Sequence, residues 1–130
     1  MNKLSIVLLS LVFSSISFAS TKCETLLNSA RSNMQAIEDA LASNDKIKHI
    51  TEKLGEEQFS CEDINAAVNI YNTITEAGSV AARDMGAAEQ LKCETNPQVD
   101  TKGEDIFLAT MYFEMMSKQL QDAQTAQNCK

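Results

Sequence analysis

The stretch IFLATMYFEMM, residues 106–116, is the most apolar run of the chain after its N-terminal leader. It opens a segment that keeps a helical pattern as far as Gln127. Along this segment, apolar residues recur three and four positions apart, at Ile106, Ala109, Phe113, Met116, Leu120 and Ala123. This spacing predicts an α-helix with one continuous buried face.

The same helix also has apolar residues on its opposite side, at Phe107, Leu108, Met111 and Met115. A helix that is apolar all round has to be covered all round. We therefore expect either the central helix of a small bundle or a helix whose second side is covered by another chain. For the second case we predict a homodimer with these four residues at its interface, since closed two-fold association is the commonest kind. A groove for a different partner is the alternative.

The N-terminal leader has the pattern of a bacterial secretory signal peptide. Lys3 supplies the positive start, residues 4–13 form the apolar run, and SFA at 17–19 fits a small-x-Ala cleavage site. No later stretch is apolar for long enough to span a bilayer. We therefore predict a signal peptide at 1–19 and a single helical domain at 20–130, exported to the periplasm.

The charge balance narrows the choice of partners. Without Lys3 the chain has ten basic and 18 acidic residues, which gives a net charge of −8. A chain this acidic repels nucleic acid and anionic lipid, so we expect neither nucleic acid nor a membrane as its partner. A basic protein partner is favoured, although a plain solvated surface explains the acidity equally well.

Four cysteines follow the leader, at Cys23, Cys61, Cys93 and Cys129. They form no C-x-x-C, haem-attachment or zinc pattern, so we expect no metal and no cofactor. An even number of cysteines in an exported chain predicts two disulfides.

Start and stop signals divide the chain into four helices. Capping-box patterns place helix starts at Thr21 and Thr101, and Ser60 marks a third start. Residues 43–45 separate the first helix from a short second one. After Gly86 the apolar phase of the third helix fails, because Glu89 would fall on its buried stripe, and we expect a bend or a separate last turn there. Since no strand of useful length is present, the sequence predicts an all-α fold, a small helical bundle with two disulfides.

The directions of these helices predict the disulfide pairing. The first helix runs the length of the bundle, the short helix crosses at the far end, the third helix returns, and the last comes back again. This places Cys23 near Cys93 and Cys61 near Cys129. Each bridge closes about 70 residues and contributes on the order of 4 kcal/mol in the chain-entropy model. A sharp fold of the third helix at Gly78 would instead bring Cys23 to Cys61.

The titratable residues form no recognisable catalytic set. His49, the single histidine, has no serine or cysteine nucleophile motif beside it. Carboxylate pairs such as Glu56 and Glu57 are adjacent in sequence, whereas a glycosidase needs two carboxylates in different environments. Several such pairs lie in first helical turns, where they complement the helix dipole. We therefore expect a binding protein and not an enzyme.

The leader at 1–19, the four spaced cysteines and the helical pattern over 21–127 carry a resemblance to a known group. The chain resembles the small periplasmic immunity proteins of type VI secretion systems, above all those that protect Vibrio-type cells from a peptidoglycan-cleaving effector. The resemblance implies stoichiometric inhibition of this secreted muramidase, often by a dimer that blocks the catalytic cleft. No functional residues are carried over, because these proteins share no short motif.

The element expected to enter such a cleft is the polar segment before the last helix. Its candidate contact residues are Glu94, Thr95, Asn96, Gln98 and Asp100, and of these Asn96, Gln98 and Asp100 are expected outside the core. Two other functions stay open: a periplasmic chaperone that exposes apolar surface, and a carrier of a small apolar ligand inside the bundle. A cavity of several hundred Å³ would favour the carrier.

Overall fold

The computed structural model describes the backbone of residues 3–129 and the side chains of residues 20–129. The predicted signal peptide, residues 1–19, therefore lies outside the described side chains. The described backbone forms four helices and no strand: α1 (Lys3–Ala42), α2 (Asp45–Glu52), α3 (Cys61–Gln90) and α4 (Gly103–Ala126). The predicted all-α fold is confirmed.

The helix starts show which of the predicted N-terminal caps are formed. At Ser60 the predicted cap is present, because its hydroxyl accepts a hydrogen bond of 3.1 Å from the Asp63 N–H. The predicted start at Thr21 is wrong. α1 is continuous across Thr21, whose carbonyl accepts a hydrogen bond from the Thr25 hydroxyl. A residue inside a helix has no unpaired first-turn amide beside it to cap.

The start of α4 is fixed by a neighbouring helix. The capping box predicted at Thr101 is wrong, because α4 begins at Gly103 with Lys102 as its N-cap and without a side-chain cap from it. Glu89 of α3 takes this role, since its Oε1 accepts a hydrogen bond of 2.9 Å from the Gly103 N–H. The carboxylate satisfies a first-turn amide and complements the helix dipole.

α3 is the central helix of the bundle, and it packs against α1 and α4 as its two main neighbours. Of the two alternatives for the last helix, the one that makes it the central helix of the bundle is therefore wrong. α3 is also a continuous helix of 30 residues, so the prediction of a bend or a separate last turn after Gly86 is wrong. Glu89, whose place on the buried stripe suggested that bend, is exposed. Its carboxylate reaches the start of α4 and needs no break in α3.

Small residues let α4 lie close to α3. At Gly78, an added Cβ would overlap the Oγ1 atom of Thr110 and lie 3.2 Å from its Cβ. On the inner stripe of α4, Ile106 and Leu120 are buried as predicted. Ala109 is exposed, and Thr110 occupies the buried position instead. At this point the residue buried against α3 is thus one position later than the apolar pattern predicts, while Ile106, Met116 and Leu120 are buried where it predicts.

The core has two clusters of buried side chains, one towards each end of α3. The first joins α1, α3 and α4 and consists of Leu27, Ala30, Ala81, Met85, Ala88 and Ile106. The second joins α2, α3 and α4 and consists of Ile47, Ile50, Ile64, Ala67, Val68, Tyr71, Met116 and Leu120. Full burial of each large apolar side chain contributes about 1.5–3 kcal/mol.

Two disulfides connect the helices. Cys23–Cys93 joins α1 to the residues that follow α3, and Cys61–Cys129 joins the start of α3 to the C-terminal end. The predicted pairing is confirmed. α3 does not fold back at Gly78, so the alternative bridge between Cys23 and Cys61 is not formed.

The ends of α3 and α4 place two of these cysteines in the same way. Cys93 and Cys129 each follow a residue with positive φ, Lys92 at 55° and Asn128 at 51°. Each cysteine N–H then donates a hydrogen bond of 2.9 Å to a carbonyl five residues earlier. This is the Schellman helix ending, which turns the chain back over the last helical turn. The turn positions each sulfur for its partner.

Candidate functional site

The loop 91–102 between α3 and α4 contains the five predicted contact residues, and it is fixed at both ends. Cys93 holds its start through the disulfide to Cys23. At the other end, Asp100 forms a two-pronged ion pair with Arg31 of α1, with oxygen–nitrogen distances of 2.6 and 2.7 Å. This planar pairing of guanidinium and carboxylate is among the strong hydrogen-bonded contacts in proteins.

Asp100 is an anchor of this loop and not an exposed contact residue. Its side chain is only 2% exposed, against 38% for Arg31. The hydrogen bonds from Arg31 lower the pKa of Asp100, burial opposes them, and the Asn96 N–H lowers the pKa further. Asn96, Gln98 and Asp100 are expected outside the core, but the Asp100 side chain is buried against Arg31. Asp100 is buried because it pairs with Arg31 of α1, a long-range contact that the sequence pattern does not reveal.

Asn96 orders the interior of the loop. Its N–H donates a hydrogen bond of 2.8 Å to Asp100, and its side-chain oxygen accepts one of 3.0 Å from the Gln98 N–H. Its carbonyl accepts hydrogen bonds from the Val99 and Asp100 N–H groups. Hydrogen bonds within the loop therefore hold its backbone, although its composition predicts an irregular segment.

Four of the five predicted contact residues are exposed on this ordered loop: Glu94, Thr95, Asn96 and Gln98. The Asn96 side chain is hydrogen-bonded within the loop, so Glu94, Thr95 and Gln98 are the candidates for contact with a partner. A pocket of about 300 Å³ lies between the loop and α1, lined in part by Met34, Gln98 and Val99. The loop therefore presents polar side chains from a fixed backbone, with a shallow partly apolar recess beside them.

The outer face of α4 is the second distinctive surface. The four predicted interface residues and Tyr112 are each between 50% and 57% exposed, which leaves five half-exposed apolar side chains on one face: Phe107, Leu108, Met111, Tyr112 and Met115. At roughly 200 Å² for each large side chain, they expose on the order of 500 Å². This matches the largest apolar patch of a typical monomer, which is often functional. The sequence prediction missed Tyr112, although its position four residues after Leu108 was the signal.

An open groove of about 590 Å³ lies where α1 ends, between α2 and α4. Its apolar lining consists of Ala40, Leu41, Ala42, Ile47, Ile70, Tyr71, Tyr112 and Phe113. The volume falls in the range of small-molecule sites. The space is a surface groove, whereas the carrier hypothesis expects a cavity inside the bundle.

The buried carboxylate of Asp84 has a structural role. It is 7% exposed and accepts hydrogen bonds of 2.6 Å from the Ser29 hydroxyl and 2.9 Å from Arg83. Burial raises the pKa of Asp84, but the hydrogen bonds from Arg83 and Ser29 outweigh burial and keep it below its usual range. A carboxylate held ionised by two donors is poorly suited to donate or accept a proton. His49 lies at the surface, 3.1 Å from Glu57.

Among the side chains of residues 20–129, no three His, Cys, Asp or Glu groups are close enough to hold a metal ion. None of the helices within the described chain combines the length and apolarity needed to cross a membrane. Comparison with known protein families, with curated proteins and with solved structures found no match to the chain.

Proposed function

We propose that the mature chain is a periplasmic immunity protein that inhibits a secreted, cell-wall-degrading type VI effector by occupying its active-site cleft. The observation that carries this proposal is the ordered polar loop 91–102, fixed at Cys93 and at Asp100. A loop that is already ordered loses less conformational entropy on binding. The export pattern and the resemblance of the sequence support the compartment and the class of target.

The contact residues of this proposal are the outward-facing Glu94, Thr95 and Gln98. They offer hydrogen-bonding groups at positions set by the loop backbone, while Asn96 and Asp100 maintain its shape. The net charge of −8 would draw the inhibitor towards a basic hydrolase and speed their encounter. In this proposal the chain blocks access to the cleft and contributes no chemistry of its own.

The test is hydrolysis of purified peptidoglycan by any secreted hydrolase found to be encoded next to the gene for this chain, measured with and without the mature protein. We expect stoichiometric inhibition of that enzyme and none of an unrelated lysozyme. The combined variant Glu94→Ala, Thr95→Ala and Gln98→Ala should weaken inhibition at least about tenfold, as for loss of hot-spot contacts. Its circular dichroism should stay unchanged, since all three side chains are exposed.

Thr73 and Glu76 provide the matched control, because both are exposed polar residues on α3. Their replacement by Ala should leave inhibition as in the wild type. If the loop variant inhibits as well as the wild type, the contact site is not the loop. If the wild-type protein inhibits none of the co-encoded hydrolases, the immunity function is wrong.

The open groove beside α2 favours one second candidate, a carrier of a small apolar ligand. Its test is titration of the mature protein with an apolar fluorescent probe such as N-phenyl-1-naphthylamine. Leu41→Gln, at the groove, should reduce saturable binding. Leu91→Gln changes a similarly exposed leucine away from the groove and should not. Linear fluorescence without saturation would reject the carrier.

A further inference from the structure

The outer face of α4 is self-complementary about Met111. Met115 lies four residues after Met111 and Phe107 four residues before it, while Lys118 and Glu104 lie seven residues to either side. These five positions follow one another at intervals of three, four, four and three. Such intervals keep side chains on one seam of a helix. The seam therefore has apolar residues at equal distances from its centre and opposite charges at its ends.

We propose that a second copy of this chain covers the face, with the two α4 helices antiparallel and a two-fold axis passing at Met111. In this arrangement Met111 packs on Met111 of the second copy, and Phe107 packs on Met115 of the second copy. Glu104 of each chain meets Lys118 of the other, so the symmetry repeats both contacts. This identical patch on both chains is the requirement of a two-fold interface.

The charges select the antiparallel orientation. A parallel pair in the same register would place Glu104 against Glu104 and Lys118 against Lys118, and like charges at such a seam are destabilising. Both residues are exposed, and neither forms an ion pair with any side chain of residues 20–129. They are therefore available to a second chain.

The size and charge of the face are compatible with this pairing. Two faces of the order of 500 Å² together reach the roughly 1,000 Å² expected of a specific interface. The five seam positions carry one acidic and one basic residue per chain, and the exposed Glu114, beside Phe107 and Met111, adds one negative charge at the edge of the face. Repulsion between the remaining charges of two acidic chains is screened beyond about 8 Å at physiological ionic strength.

The pairing has a consequence for the loops, although it does not depend on the inhibitory function. Residues 104–118 span roughly 21 Å along a helix. The loop 91–102 precedes the N-terminal end of α4, and antiparallel helices have these ends on opposite sides of the interface. The dimer would therefore present its two loops at opposite ends, each free to bind one target molecule.

The experiment is sedimentation velocity of the mature protein over a micromolar concentration series. We expect a dimer for the wild type, and about a tenfold or greater rise in the dissociation constant for Glu104→Lys or Lys118→Glu alone. The double variant Glu104→Lys with Lys118→Glu restores the opposite charges and should recover dimerisation to within about threefold of the wild type. A monomeric wild type at 100 μM, or a double variant as weak as the singles, would overturn the proposal.

Cross-linking tests the register separately. Met111→Cys should give a disulfide-linked dimer under mild oxidation, because the two positions meet at the axis. Met115→Cys changes the same residue type at nearly the same exposure. It should not cross-link to itself, since its two copies are about 12 Å apart along the helices. Equal cross-linking of both variants would refute the register. Peptidoglycan-hydrolysis assays with the monomeric variants test the inhibitory function separately from the dimer. Inhibition by a monomeric variant would leave the inhibitory function standing without the dimer.

Discussion

Replacing Gly78 by Ala tests the closest approach between α3 and α4. The added Cβ would overlap the Oγ1 atom of Thr110 and lie 3.2 Å from its Cβ and Cγ2 atoms. Thr110 has little freedom to move aside, because it is 7% exposed and its hydroxyl donates a 2.7 Å hydrogen bond to the Ile106 carbonyl. The substitution therefore forces either a rotamer change or a shift of α4.

Two opposing effects set the magnitude. Alanine stabilises a helix interior by about 1 kcal/mol relative to glycine. Forcing a methyl group into a packed core costs typically 1–3 kcal/mol. The overlapped side chain is β-branched and hydrogen-bonded, so we place this cost at about 3 kcal/mol and expect a net destabilisation of about 2 kcal/mol. In a Thr110→Ala background the overlapped Oγ1 atom and Cγ2 are removed and only the 3.2 Å contact with the Cβ of residue 110 remains, so Gly78→Ala should lie between neutral and stabilising by about 1 kcal/mol.

The assay is urea unfolding at a fixed protein concentration with both disulfides intact, followed by circular dichroism. The four proteins of the cycle should have similar m-values, so that the midpoints report stability. The coupling between Gly78 and Thr110 should be about 2–3 kcal/mol, at the upper end for residues in contact. Gly86→Ala is the control, because its Cβ would meet no atom within 4 Å and the change should stabilise α3. Additive effects of Gly78→Ala and Thr110→Ala would refute the described packing.

Asp100→Asn should destabilise the protein at pH 7. Because the folded-state pKa of Asp100 is lowered, its contribution is present above about pH 4 and is lost as pH falls through the folded pKa. Urea midpoints of variant and wild type should therefore converge in acid, and a difference undiminished at pH 2 would contradict this. Lys92→Gly should stabilise by about 0.5–1 kcal/mol in the same assay, since φ is 55° at Lys92; a loss of stability would show that its side chain matters more. Replacing Cys61 and Cys129 by Ser opens a loop with a sequence separation of 68 and should cost about 4 kcal/mol in the chain-entropy model, seen as a lower thermal midpoint. An unchanged midpoint would mean that this bridge constrains the unfolded chain little.

Helix number and disulfide pairing could be predicted from the sequence because both depend on local periodicity and chain direction. Once four helices alternate in direction, the ends that meet are determined, and Cys23 meets Cys93 without knowledge of any side-chain contact. Ser60 was predictable for the same reason, since its partner Asp63 is three residues away. The cap at Gly103 was not, because its acceptor Glu89 belongs to another helix.

The elements that pack on each side of α4 could not be predicted. An apolar surface indicates that a helix face needs burial, but it does not indicate which part of the molecule packs on it. α3 is the central helix, because small residues such as Gly78 and Ala81 let α1 and α4 approach it from two sides. The polar composition of residues 91–102 located the candidate loop, but it did not show that the loop is ordered. Arg31 and Asp100 are 69 residues apart, and their ion pair follows only from how α1 packs beside the loop.

The two disulfide loops overlap along the chain, since one covers 23–93 and the other 61–129. A protease that cuts one peptide bond anywhere between Cys23 and Cys129 therefore leaves both fragments covalently joined. Within 61–93 they stay joined by two bridges, and elsewhere by one. The loop 91–102, the contact site of the proposed function, can thus be nicked while the cleaved ends remain tethered to the same bundle. In an oxidising compartment that contains proteases, such a nicked protein would remain one covalently linked molecule until its disulfides are reduced.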